Sequence, residues 1–139
     1  VCDAVVASEK ATFGLPEVRR GLVAGLAGPL LAFRLGGGPA GYLLTTGRAI
    51  DAAQAQRMGL FHEVVPDEHV WVRAAELAAE AGKGAPSSML MTKRLLNETI
   101  GEQLSTLMSV GSAISATART TDAASEGISA FLEDREPKW

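Results

Sequence analysis

The sequence predicts a mixed α/β (α+β) fold in which strands come first and helices follow. Two observations lead there. Short apolar runs rich in Val lie before residue 66, and three-to-four apolar spacing dominates after it. A third, the composition, says the chain packs: 47% of its 139 residues are apolar and 21% charged, outside the range of disordered chains. The expected division is 1–66, carrying the strands, and 67–139, a helical region.

Residues 1–7, Val-Cys-Asp-Ala-Val-Val-Ala, read as a buried strand ended by Ser8-Glu9-Lys10. The chain opens on Val1 inside this core-type run, which gives the expectation that residues precede it. Ala11 to Phe13 is a second extended piece, and Gly14-Leu15-Pro16-Glu17 turns into a helix start, where a proline's missing N–H costs nothing. A short helix or single turn covers 17–22. A helix over 26–35 stops at Gly36-Gly37-Gly38, and another runs from Pro39 to Thr46 and closes near Gly47. Asp51 and Gln54 have capping-box spacing, so a helix covers 52–58. Phe61 to Val65 is a strand stopped by Pro66.

Asp67 is placed to cap a helix of 68–81, whose stripe is Val70, Trp71, Ala74, Leu77, Ala78 and Ala81, with Gly82 after it. Beyond Gly84-Ala85-Pro86 the pattern is helical. Leu90, Lys93, Arg94 and Asn97 share one helix. A second, over 102–119, lines up Leu104, Leu107, Met108, Gly111, Ile114 and Ala118. Asp122 is placed to cap the last, with Ile128, Phe131 and Leu132 turned inward.

Composition also excludes functions. With 13 basic and 16 acidic side chains the formal net charge is −3, whereas a nucleic-acid surface needs clustered Lys and Arg, so no nucleic-acid partner is expected. Leu22 to Phe33 is the longest apolar stretch. It is too short to cross a bilayer and holds Gly25, Gly28 and Pro29, so no membrane span is expected. Cys2 is the single cysteine and fits a reducing cytoplasm. His62, His69 and Cys2 are too scattered for a metal site. Gly36 to Gly41 spells G-x-G-x-x-G, but a helix precedes it and Asp51 comes too early for a dinucleotide site. The residue most suited to chemistry is Glu17. A Gly/Pro turn holds its carboxylate rigidly, as a general acid or base requires. The plainer reading is that Glu17 decorates a first helical turn.

Residues 1–18, Val-Cys-Asp-Ala-Val-Val-Ala-Ser-Glu-Lys-Ala-Thr-Phe-Gly-Leu-Pro-Glu-Val, closely resemble the middle of the enoyl-CoA hydratase/isomerase (crotonase) superfamily. Leu44 to Ala55 is similar to its "LLTGR.I.A.EA" segment, and Met58 to Phe61 with Glu63 to Pro66 to its "GLV..VVP" segment. Lys93 to Leu96 falls at its "K..L" helix, and Glu126-Gly127, Ala130 to Leu132 and Lys138-Trp139 resemble its C-terminus. These motifs are collinear and cover essentially the whole chain.

The resemblance implies the end of a crotonase-like ββα spiral core followed by a helical region that packs trimers. It implies an acyl-CoA thioester as substrate, with no separate cofactor. Two backbone N–H groups would form an oxyanion hole, such donors being typically worth about 3–4 kcal/mol each. Carried over residue by residue, Glu17 matches the glutamate of the "FG.PE" motif, a general acid/base in hydratases and the main one in double-bond isomerases. Gly25 matches a glycine whose N–H helps place water or substrate. Gly14, Leu15, Pro16 and Leu22 would line the acyl pocket.

Two departures stand out. Where the family reads "G.IPG.GGT", this chain has Gly21-Leu22-Val23-Ala24-Gly25-Leu26-Ala27-Gly28-Pro29. Near the C-terminus Asp134 and Glu136 occupy positions where some relatives have lysines, leaving Lys138 as the candidate for CoA phosphates.

The expected function is addition of water across a 2-enoyl-CoA double bond. The alternatives are enoyl-CoA double-bond isomerisation and a non-catalytic trimeric module. The expected assembly is a homotrimer or dimer of trimers. The family's oxyanion-hole residues and second glutamate lie before the position matching Val1, so the expected partner is an N-terminal segment of the same protein, and residues 1–139 alone are expected to turn over nothing.

Overall fold

A computed structural model describes residues 2–99 and 101–139. The chain forms two compact units, Val1–Phe13 with Ile50–Ser105 and Gly14–Ala49 with Thr106–Trp139. Each unit draws on residues from both sides of position 66.

In the first unit, β1 (Val6–Ser8) pairs in parallel with β4 (Glu63–Val65), in the register Val6 to Glu63 and Ser8 to Val65. The imidazole Nδ1 of His62 accepts the Val5 N–H at 2.9 Å and so extends the ladder by one bond. β2 (Thr12–Phe13) pairs antiparallel with β3 (Ile50–Asp51). β3 runs into α3 (Ala52–Arg57), and the Asp51 carboxylate accepts the Gln54 N–H at 2.7 Å, the cap the spacing predicts. Ile50, Ala52 and Ala55 are buried there. α4 (Val70–Ala81) is tied to β4 by a two-pronged pair, Arg73 Nε to Glu63 Oε2 at 2.6 Å and Nη2 to Oε1 at 2.9 Å. Arg73 holds the Glu63 carboxyl below its ordinary range, chiefly by these hydrogen bonds. α5 (Pro86–Thr99) has every residue exposed.

In the second unit a 3₁₀ turn (Pro16–Arg20) carries Glu17. α1 (Ala27–Leu35) and α2 (Gly37–Thr46) pack on each other and bury Gly28, Leu31, Ala40 and Leu43. α6 (Glu102–Ala118) enters this unit at Thr106, and α7 (Asp122–Leu132) packs on the 3₁₀ turn.

Several expectations change. The strand of 1–7 begins only at Val6, because Asp3 and Ala4 bend; Val1 lies outside the described residues. The strand of 61–65 likewise narrows to Glu63–Val65. Asp67 opens a 3₁₀ turn instead of capping 68–81, and α4 starts at Val70 with His69 before it and no side-chain cap. Thr121, not Asp122, caps α7: its hydroxyl accepts the Ala124 N–H at 3.2 Å. The inward face of α7 is Ala124, Gly127 and Ala130, while Ile128, Phe131 and Leu132 are exposed. Small residues face inward because the backbone of Arg20 lies so close that a Cβ on Gly127 would overlap it. Trp71, on the stripe of α4, is 85% exposed.

Candidate active site

Glu17 owes its position to local sequence. Pro16 fixes φ at the first position of the 3₁₀ turn, and the turn ends at Gly21 in the left-handed region, φ 65°. The Leu22 N–H donates to the Glu17 carbonyl at 2.9 Å, closing the turn on the catalytic candidate's own backbone. Position 21 needs a glycine, because α7 lies so close that any Cβ there would overlap the Ala123 carbonyl.

The turn opens onto a cavity of about 460 Å³, a size suited to a small organic group. Leu15, Val18, Leu22, Val23 and Ala24 form one wall. Gly28, Pro29 and Ala32 of α1 and Leu44 of α2 form another, and Leu107, Val110, Gly111 and Ile114 of α6 close the third. Among the described residues Glu17 is the one ionisable residue in the lining. Its Oε2 is buried and has no hydrogen-bond partner among the described residues. A buried carboxylate oxygen without a donor loses solvation that nothing replaces.

Glycines let two walls of the cavity meet. At Gly25 a Cβ would lie 2.6 Å from the Ser115 Cβ and would overlap the Gly111 carbonyl, so the loop and α6 meet backbone to backbone. Ser115 Oγ donates to the Val23 carbonyl at 3.1 Å, and the Gly25 N–H donates to the same carbonyl at 2.8 Å. In this conformation the Gly25 amide is therefore spent on its own turn. Handing it to water or substrate requires that turn to open.

Of the residues singled out from sequence, Glu17, Gly25, Leu15 and Leu22 come together around the cavity. Gly14 and Pro16 do not line it. Gly14 sits against Ala49, where a Cβ would lie 3.1 Å from the Ala49 Cα, and Pro16 shapes the turn. The α6 wall is not announced by the sequence as a site element. Its one signal was Gly111 on an otherwise apolar stripe, a glycine inside a helix that only a close approach justifies. Among the described residues no cluster of three or more His, Cys, Asp or Glu could hold a metal ion. No helix of the described residues is long and apolar enough to cross a membrane.

The chain is similar to a set of known proteins. The carnitinyl-CoA hydratase of Mycobacterium avium superposes with a TM-score of 0.89 at 37% identity, over 99% of this chain and 54% of that one. An enoyl-CoA hydratase/isomerase of Pseudoalteromonas atlantica T6c superposes with a TM-score of 0.89 at 31% identity, over 99% of this chain and 56% of that one. The 2,3-dehydroadipyl-CoA hydratase of Escherichia coli K12 is 33% identical over 140 residues, covering 100% of this chain and 55% of that protein. The chain thus spans about half the length of the relatives it matches. The family model of enoyl-CoA hydratase/isomerase matches residues 1–139 from end to end. On that match, with the crotonase-type fold of the neighbours around it, the chain belongs to the enoyl-CoA hydratase/isomerase family.

Proposed function

We propose that this chain supplies the acid/base half of an enoyl-CoA hydratase active site. The observation that carries the reading is the buried Oε2 of Glu17, which has no hydrogen-bond partner among the described residues and lies in an otherwise apolar lining. In the reaction a water oxygen bonds to C3 of a 2-enoyl thioester while a proton reaches C2, and the C2–C3 double bond becomes single. Glu17 holds or delivers the proton. The apolar walls receive the acyl group and exclude bulk water, which strengthens the charge interactions within. Negative charge builds on the thioester oxygen, and its stabilisation calls for backbone N–H donors aimed at that oxygen. The hydratase names of the relatives favour hydration over double-bond migration.

We also propose a homotrimer, or a dimer of trimers, in the cytoplasm. In support, α5 exposes Leu90, Met91 and Leu95, and α4 exposes Trp71 and Val72, apolar area that a second copy would cover.

The test is hydration of a short 2-enoyl-CoA by the protein expressed from its complete reading frame, followed by loss of the conjugated thioester absorbance. Turnover supports the reading. Failure to hydrate, with conversion of a 3-enoyl-CoA to the 2-enoyl isomer, would replace it with the isomerase.

A further inference from the structure

We infer that Arg19 is a positioning residue for Glu17, acting as a tether between the 3₁₀ turn and the C-terminal end of α2. The inference rests on the reading of Glu17 as the acid/base. Arg19 Nε donates to the Thr46 carbonyl at 2.8 Å. That carbonyl is one of the last four of α2, which the helix itself leaves without a donor, and it sits at the negative end of the helix dipole. A guanidinium suits both needs.

The neighbouring residues make room for this bond. Gly47 is left-handed, φ 59°, and a Cβ there would lie 3.0 Å from the Arg19 Cγ and 3.1 Å from the Val18 Cγ1. The Thr46 hydroxyl donates to the Tyr42 carbonyl at 2.7 Å, inside its own helix. α2 is a firm anchor: Leu43 is fully buried and Leu44 lines the cavity. On the other side of the turn the Arg20 guanidinium stacks on Phe131, 3.8 Å from the ring centroid, and Gly127 lets the Arg20 backbone approach α7. The hydrogen bonds of a short 3₁₀ turn have poorer geometry than those of an α-helix, so contacts from outside add to its hold. Two adjacent arginines held from opposite sides fix the direction in which the residue two positions earlier presents its carboxylate. Arg19 does not line the cavity and works through Glu17.

The test uses Arg19→Ala and Arg19→Lys in the protein expressed from its complete reading frame, with kinetics on a 2-enoyl-CoA and amide hydrogen exchange at Leu22. Leu22 reports on the turn because its N–H bonds to the Glu17 carbonyl. Arg19→Ala should lower kcat about ten- to a hundredfold with KM held within about twofold, as expected for misplaced chemistry rather than lost binding. It should also speed exchange at Leu22. Arg19→Lys, which can still donate to Thr46, should recover most of both.

Unchanged kcat in Arg19→Ala, or a fall in kcat with Leu22 exchange unchanged, would overturn the inference. So would a lysine variant no better than alanine. If the unaltered protein hydrates nothing, the acid/base reading fails by itself. Exchange then still judges the tether: faster in Arg19→Ala and restored in Arg19→Lys upholds it, and no change overturns it.

Discussion

Gly25→Ala should loosen the cavity wall and slow the reaction at once. The added methyl would lie 2.6 Å from the Ser115 Cβ and overlap the Gly111 carbonyl. Carbon atoms in contact rest about 3.5–4.0 Å apart, so α6 or the 22–26 loop must retreat by about 1 Å. Neither yields easily, because the obstacle is helix backbone and the loop is pinned by the Ser115 bond to Val23. Overpacking of this kind costs about 1–3 kcal/mol. With a urea slope of about 2 kcal/mol per molar, a loss of about 2 kcal/mol moves the unfolding midpoint down by about 1 M.

The same displacement opens the wall formed by Val110, Gly111 and Ile114, and a 1 Å misplacement near the chemistry costs about a hundredfold in rate. Gly41→Ala is the control. Gly41 lies within α2 and a Cβ there meets nothing within 4 Å, so the substitution should stabilise by about 0.5–1 kcal/mol. Urea melts of both variants, expressed from the complete reading frame, check the pair. A Gly25→Ala protein as stable and as active as its parent would refute the backbone contact between the loop and α6.

Two further substitutions have defined outcomes. Leu43 of α2 is completely buried, so Leu43→Ala should cost about 2–5 kcal/mol in a urea melt, and a loss below about 1 kcal/mol would mean that α2 is not packed as described. Glu126 accepts two bonds from Arg135, at 2.6 and 3.0 Å, and the Lys138 N–H at 2.7 Å, and these lower its pKa from 4.5 to about 2, the Arg135 bonds contributing most. A carboxyl whose folded pKa is depressed contributes stability that is present above its unfolded value and lost as the pH falls through 4.5 toward 2. Glu126→Gln should therefore flatten the acid limb of a stability-against-pH curve in that window. An unaltered limb would show that the tie between α7 and the C-terminal residues contributes nothing.

What the sequence disclosed, and what it did not, follows the range of each interaction. Glu17 was legible because its rigidity comes from Pro16 and Gly21, a few positions away. The same holds for the Asp51 cap, whose partner is three residues on. β3 has only two residues and no apolar run to announce it. The contact of Gly25 with Gly111 joins positions far apart in the chain, and no local pattern encodes it. The stripes on α4 and α7 identified residues that share a face but not what covers that face. Trp71 and Leu132 lie in the open, while small residues of α7 meet the 3₁₀ turn.

The most direct test concerns a single oxygen. Glu17→Gln preserves shape and removes the titrating group, so in the protein expressed from its complete reading frame kcat for 2-enoyl-CoA hydration should fall about 10²- to 10⁴-fold while acyl-CoA binding stays close to that of the parent. A glutamine variant that turns over at the parental rate would contradict the account, because the cavity would then hold no acid or base of its own.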